Sequence, residues 1–136
     1  MKKAIIWVDG AARGNPGPAA ISAILKDEKG KAHSRFSQRI GIATNNEAEY
    51  RAVIAGIEKA ISLGADAVEI NSDSELIVRQ LSGKYRVKDT MLKPLYERVK
   101  QLQSSLVSFK LSHIPREQNR EADRLVNKAL DSPLTN

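Results

Sequence analysis

Short apolar runs separated by turn residues fill the first third of the chain and predict three strands. Residues 4–8 are a continuous apolar run that ends at an Asp-Gly pair, which is typical of a strand buried on both faces. Residues 10–18 are rich in Gly, Pro and Asn and predict a turn. Residues 19–26 form a second apolar run, residues 27–30 a hairpin turn, and residues 31–40 alternate like an exposed edge strand.

A helical period replaces the strand pattern after residue 45. Asn46 is a candidate N-cap because Glu49 follows three residues later, which is the spacing of a capping box. Gly64 is the kind of residue that follows a helix in the left-handed conformation. Between these limits, one apolar helix face is formed by Tyr50, Val53, Ile54, Ile57 and Ile61.

Strands and helices alternate through the second half of the chain. Residues 67–70 predict a short strand, and Ser72 is placed to cap a helix that begins at Asp73. Residues 82–89 form a basic connector to a helix over about residues 90–104, which carries a proline in its first turn.

A last strand and a last helix complete the pattern. Residues 107–113 alternate as a strand, and Asn119 is a candidate cap for the final helix. The order β-β-β-α-β-α-α-β-α predicts an α/β domain whose first three strands form an antiparallel meander. The later strands follow helical crossovers and are expected to lie parallel to the first. We expect a single domain over residues 1–136, with 131–136 as a frayed tail.

Composition narrows the class of protein without choosing a function. The chain has 136 residues, 41% hydrophobic and 28% charged, which is ordinary for one globular domain. It has no cysteine, so disulfides, thiolate metal sites and a cysteine nucleophile are excluded. No apolar run reaches the length of a membrane span or of a signal peptide, so we expect a cytoplasmic protein.

The net charge of +6 is unevenly distributed along the chain. Residues 1–40 and 79–100 each carry a net charge of +5, whereas residues 41–78 carry −5. One interpretation is that these are solvated helix faces. The other is a carboxylate site for cations between basic surfaces that bind a polyanion.

Four acidic residues occur at one kind of position, at the end of a strand or the start of a helix: Asp9, Glu49, Asp73 and Asp123. In a sheet with helical crossovers, such positions gather at one crevice. Carboxylates brought together there repel one another unless they share protons or bind cations. Oxygen ligands alone favour Mg²⁺ or Mn²⁺. Each acid also has a simpler interpretation, as a capping partner, an Asx turn or a complement to a helix dipole.

Local sequence strings decide between these interpretations. Four segments in order resemble the motifs of the type 1 ribonuclease H family: VDGAARGNPGPA at residues 8–19, TNNEAE at 44–49, NSDSE at 71–75 and HIPREQNREAD at 113–123. The resemblance extends from Lys3 to about Ala129. It implies a mixed five-stranded sheet flanked by helices, which agrees with the order of elements above.

The resemblance also implies an activity and its site. Members of the family cleave the RNA strand of an RNA–DNA hybrid with two Mg²⁺ ions, for which Mn²⁺ is expected to substitute, leaving 5′-phosphate and 3′-hydroxyl ends. The acidic quartet of the family matches Asp9, Glu49, Asp73 and Asp123, and its catalytic histidine matches His113. Asp9 is the expected bridge between both ions, and His113 is expected to move a proton or assist product release.

Substrate contacts follow less directly from the sequence. The residues expected to grip the nucleic acid are Gly10, Arg13, Asn15, Asn45, Asn46 and Arg116. For Asn46, a contact with the nucleic acid competes with its predicted role as an N-cap. The basic connector is expected to face the DNA strand.

Two features depart from longer bacterial relatives. The segment Ser82–Asp89 occupies the region where those relatives carry an extra basic helix, and Glu75 stands where glutamine is common. The alternatives to a nuclease are a module that binds hybrid or double-stranded RNA without cutting it, and a protein-interaction domain. We expect a monomer with no obligate protein partner and no membrane association.

Overall fold

The five strands form one mixed sheet with the order β3-β2-β1-β4-β5, which confirms the predicted fold class. The computed structural model describes residues 1–132, and residues 133–136 of the predicted tail lie outside them. The strands are β1 (Lys3–Ala12), β2 (Gly17–Lys26), β3 (Ala32–Ala43), β4 (Ala67–Ser72) and β5 (Ser108–His113). The helices are α1 (Asn45–Ser62), α2 (Glu75–Leu81), α3 (Lys93–Ser104) and α4 (Arg120–Asp131), with a 3₁₀ turn at Arg116–Gln118.

Strand directions agree with the connections predicted from the sequence. The tight turns make β1–β2 and β2–β3 antiparallel, whereas the helical crossovers place β4 and β5 parallel to β1. The edge position of β3 is also confirmed. The strands are longer than predicted, because the turn between β1 and β2 needs only residues 13–16 and not 10–18.

The prediction that β1 is buried on both faces is wrong for one of them. Ala4, Ile6 and Val8 are fully covered, and α1 lies directly over this face because Gly56 gives it close access. Ile5 and Trp7 point to the other side and remain half-exposed. Helix α4 covers only part of that side of the sheet, which leaves a pocket beside the helix that Trp7 helps to line.

The N-terminus of α1 begins two residues earlier than predicted. Thr44 is the N-cap, and it forms a capping box in which its side chain accepts the Glu47 N–H while Glu47 accepts the Thr44 N–H. Asn46 therefore lies inside the helix, and Glu49 has no capping role. The C-terminal prediction is confirmed, because Gly64 follows the helix at φ 90°.

The cap of α2 is also displaced by two residues. Ser74 caps the helix by accepting the Ile77 N–H, whereas Ser72 accepts the Ser74 N–H and so shapes the turn before the helix. Asp73 is consequently left outside the helix, between the end of β4 and the cap. Within the described residues, no helix is long and apolar enough to cross a membrane.

Candidate active site

The four predicted acids reach one cleft from four different elements. Asp9 lies two residues beyond Trp7, the last residue of β1 that pairs with β4. Glu49 is the fifth residue of α1, Asp73 follows β4 directly, and Asp123 is the fourth residue of α4. Carboxylate oxygens of Asp9, Glu49 and Asp73 lie within 4.8 Å of one another. Asp123 lines the same cleft but is not part of this compact triad.

A glycine permits the close approach of β1 and α1. The Gly10 N–H donates to Glu49 Oε1 at 2.6 Å, which orients that carboxylate toward Asp9. A Cβ at Gly10 would stand 2.3 Å from the backbone carbonyl of Ala48. Only glycine therefore lets the helix lie near enough for Glu49 to join the triad.

Burial and mutual repulsion make two of the acids hard to ionise. Burial raises the pKa of Asp9 from its ordinary 3.8 to about 7, and the negative charge of Asp73 adds to the effect. Burial also raises the pKa of Glu49, with the charge of Asp9 as the second cause. Full ionisation of these acids is therefore unfavourable unless a cation lies among them.

This donor set fits a divalent cation. All of its ligand atoms are carboxylate oxygens, the type that Mg²⁺ and Mn²⁺ prefer. A cation among them would also remove the repulsion that raises the two pKa values. Both the chemistry of the donors and their electrostatics therefore point to metal use.

The predicted substrate residues fall into two groups. Asn45 and Arg116 line the cleft, and Asn15 supports Asn45 by accepting its backbone N–H at 3.0 Å. Arg13 instead pairs with Asp131 at 2.5 Å, at the far end of α4.

The remaining predicted residues have other surroundings. The Gly10 N–H is already used by Glu49, so it is not free for a substrate. Asn46 lies in the first turn of α1 beside Asn45, and it is not among the residues that line the cleft. His113 is exposed at the end of β5, opposite Ser72 in the sheet register, and it is not among the residues that line the cleft.

Sequence reasoning missed two polar residues near the acids. Asn119 occupies the predicted N-cap position of α4, but its side chain makes no cap bond and donates to the Val8 carbonyl at 2.8 Å. Ser22 is fully buried in β2 and donates to the carbonyl of Ala122. The only sequence signal for the contact of Ser22 with Ala122 is that a single serine interrupts an apolar strand.

Together, the sheet and the cleft define an α/β domain with a carboxylate-lined, cation-suited site at the ends of its central strands. The family model described as "Reverse transcriptase-like" matches residues 7–129. The Ribonuclease HI of Halobacterium salinarum is 41% identical over 125 residues, which cover 92% of this chain. The chain belongs to the type 1 ribonuclease H family.

Solved structures agree over nearly the whole domain. The structure of RNase H1 from Halobacterium salinarum has a TM-score of 0.92 and 40% identity, covering 95% of this chain and 98% of that one. The structure of LC11-RNase H1 in complex with an RNA/DNA hybrid has a TM-score of 0.89 and 45% identity, covering 94% and 96%.

This chain spans only part of the length of two of these relatives. The chain spans 63% of the Halobacterium relative's length. It spans 36% of the length of Bifunctional protein Rv2228c of Mycobacterium tuberculosis, to which it is 41% identical over 131 residues, 96% of this chain.

Proposed function

We propose that the protein is an endonuclease that hydrolyses the RNA strand of RNA–DNA hybrids and leaves 5′-phosphate and 3′-hydroxyl ends. The observation that carries the proposal is the convergence of Asp9, Glu49 and Asp73 within 4.8 Å in an open cleft, with Asp123 on its wall. Membership of the family supports the reaction, and the hybrid-bound LC11-RNase H1 supports the substrate class.

The four acids are proposed to hold two Mg²⁺ ions, with Mn²⁺ as a substitute. Asp9, Glu49 and Asp73 would hold one ion as the compact triad, and Asp123, whose charge acts on Asp9, would help Asp9 to hold the second. When bound, such ions supply an activated water and stabilise the charge on the leaving 3′ oxygen. The protein's own contribution is to hold the acids at fixed positions before the substrate arrives.

Other residues are proposed to orient the RNA strand. Oε1 of Glu49 is engaged by Gly10, which leaves the second oxygen to accept a hydrogen bond from a 2′-hydroxyl, the group that separates RNA from DNA. Asn45 and Arg116 line the cleft where backbone contacts are needed. The exposed imidazole of His113, at the end of the strand that pairs with β4, is proposed to take or return a proton.

The test is a cleavage assay with labelled RNA–DNA hybrid, double-stranded RNA and double-stranded DNA in parallel. We expect Mg²⁺-dependent cuts within the RNA strand of the hybrid. Asp9→Asn should fold normally and lose more than about a hundredfold in rate, since even outer partners of metal ligands are worth up to that much. An Asp9→Asn rate near wild type contradicts the metal assignment. Hybrid binding without cleavage by the wild type favours the non-cutting module.

The assembly and location are proposed from the sequence. We propose a monomer without an obligate protein partner, acting in the cytoplasm. Sedimentation velocity tests the first point: a single species near 15.0 kDa is expected, and a species of twice that mass contradicts it.

A further inference from the structure

Asp123 differs from the other three acids in how it is held. Asp9, Glu49 and Asp73 come from the interlocked elements β1, α1 and β4, and they form the compact triad. Asp123 comes from α4, which lies on the opposite side of the sheet from α1. The position of Asp123 relative to Asp9 therefore depends on how α4 is fixed to the sheet.

A buried hydroxyl makes the first attachment. Ser22 is completely inaccessible, between Ile21 and Ala23 in an otherwise apolar stretch of β2. Its Oγ donates to the backbone carbonyl of Ala122, at 2.6 Å, and Ala122 immediately precedes Asp123. A buried hydroxyl without a partner is unfavourable, so this bond satisfies the group and ties the helix at that residue.

The sheet register connects this attachment to Asp9. Ser22 and Asp9 are direct partners in the antiparallel β1–β2 pair. Directly opposed residues place their Cβ atoms on the same face, about 5 Å apart. The Ser22 hydroxyl, which lies beside Asp9, therefore holds Ala122, the residue directly before Asp123. In this way it fixes Asp123 relative to Asp9.

A buried amide makes the second attachment. The Nδ2 group of Asn119 donates to the Val8 carbonyl, the peptide group that joins Val8 to Asp9, and it lies 3.5 Å from Asp73 Oδ2. Asn119 is only 2% exposed, and its side chain makes no capping bond to α4. Its backbone carbonyl accepts the Asp123 N–H at 3.1 Å. Asn119 thus links the peptide beside Asp9, the carboxylate of Asp73 and the turn that carries Asp123.

We propose that Ser22 and Asn119 are positioning residues that set the distance of Asp123 from Asp9, an inference that rests on the proposed metal-dependent function. Other side-chain contacts also tie α4 to the strands and their turns: Arg39 donates to the Leu130 carbonyl at 2.9 Å, and two ion pairs, Arg35 with Glu121 and Arg13 with Asp131, are weakened by salt. The two buried bonds are shielded from water, and both involve residues just before Asp123, at positions 119 and 122.

Ser22→Ala is the cleanest test of the proposal. The variant should fold, because the Ala122 carbonyl keeps its helical bond to the Val126 N–H. We expect Mn²⁺ to bind about tenfold more weakly, within the range for outer partners of metal ligands. Electron paramagnetic resonance measures free Mn²⁺ directly and needs no substrate. Val99→Ala is the control, since it opens the core under α3 far from the acids and should leave Mn²⁺ affinity unchanged.

A double-mutant cycle separates positioning from a general effect. If Ser22 acts through Asp123, Ser22→Ala should weaken Mn²⁺ binding in the wild type and add nothing in an Asp123→Asn background. Asn119→Ala should show the same coupling to Asp123 plus a remaining effect through Asp73.

Three results overturn the proposal. The first is a Mn²⁺ affinity that is unchanged in Ser22→Ala or in Asp123→Asn. The second is full additivity of the effects of these two substitutions on Mn²⁺ affinity, and the third is a loss of Mn²⁺ affinity in Val99→Ala equal to that in Ser22→Ala. Failure of the proposed nuclease function is separate, because it appears as an uncut hybrid with wild-type protein while the Mn²⁺ cycle is still measurable.

Discussion

At the scale of single residues, the ionisation of Asp9 is the property that distinguishes the site from a surface cluster of acids. Asp9 is 6% exposed, and burial together with the charge of Asp73 raises the pKa of its carboxyl to about 7. The pKa of Glu49 shifts in the same direction for the same reasons. Without a cation, the folded chain therefore binds protons that the unfolded chain has already released.

This property predicts how stability depends on pH in EDTA. The folded pKa of Asp9 lies above the unfolded value, so the free energy of unfolding should fall as pH rises from about 4 to about 7. The contribution of Asp9 is on the order of 4 kcal/mol, from about 1.4 kcal/mol per pKa unit. Asp9→Asn removes the titrating group, so its stability advantage over the wild type should grow across this range. Urea unfolding at several pH values measures it, and a difference that does not change with pH contradicts it.

The identities of the acids could be predicted from the sequence, but their surroundings could not. The four acids lie in four sequence motifs that occur in the order typical of the family. The structure brings all four to one cleft: Asp9, Glu49, Asp73 and Asp123. Arg13 shows the limit, because its pairing with Asp131 joins segments far apart in sequence that no local pattern relates.

At the scale of elements, the approach of α1 to β1 assembles the triad. The helix crosses the strand at two glycines, Gly10 on the strand and Gly56 on the helix. At Gly10 the neighbouring atoms are backbone, at 2.3 Å from an added Cβ, whereas at Gly56 the nearest atom is a methyl group of Ile6 at 3.1 Å. Side chains can adjust to a new methyl group, but a helix backbone must move as a whole.

The two glycines make a matched pair of variants. Gly10→Ala should destabilise the fold by about 1–3 kcal/mol, the usual range for overpacking, and weaken Mn²⁺ binding by displacing Glu49. Gly56→Ala should be close to neutral, because the gain in helix propensity, about 1 kcal/mol, offsets the smaller strain. Thermal unfolding and Mn²⁺ titration measure both. Equal losses in the two variants would argue against a special role for the approach at Gly10.

Element order was predictable from the sequence, whereas helix starts were displaced. Asn46 with Glu49 has the spacing of a capping box, but so does Thr44 with Glu47, and the structure uses the second pair. The reason is tertiary, because Glu49 is drawn to the Gly10 N–H on another element. A pattern confined to one helix cannot show that competition.

At the scale of the whole molecule, acidic and basic regions are spatially organised around the cleft. The acids line the cleft at the ends of β1 and β4. In contrast, Lys84 and Arg86 of the connector between α2 and α3, with Lys93 at the start of α3, are exposed around a groove. An ion in the cleft and a polyanion along the basic surface would each neutralise one of these regions. Stability and binding should therefore respond differently to divalent and monovalent salts.

Mg²⁺ should stabilise the folded protein by preferential binding. At ten times the dissociation constant the expected gain is about 1.4 kcal/mol, which is roughly 5 °C in Tm for a domain of this size. Asp9→Asn should show little of this shift, and NaCl at matched ionic strength should show none. A wild-type Tm that does not respond to millimolar Mg²⁺ contradicts a shared cation site.

Monovalent salt should act on hybrid binding through the basic connector. In the Asp9→Asn background, which separates binding from cutting, Lys84→Ala should weaken binding and reduce the slope of log Kd against log salt by about one for each lost phosphate contact. Lys29→Ala is the control, because the β2–β3 hairpin lies at the other end of the sheet from Asp9. An equal change of slope in both variants would show that the connector has no special part in binding.

The attachment of α4 has a consequence for how the protein is made. The bond between Ser22 and Ala122 spans 100 positions of the chain, and that between Val8 and Asn119 spans 111. During translation, the sheet segments emerge first, and the triad can gather before α4 leaves the ribosome. Asp123 arrives last, together with both of its attachments. A copy that ends before α4 would hold the triad without Asp123, and we expect it to lack the proposed cleavage activity.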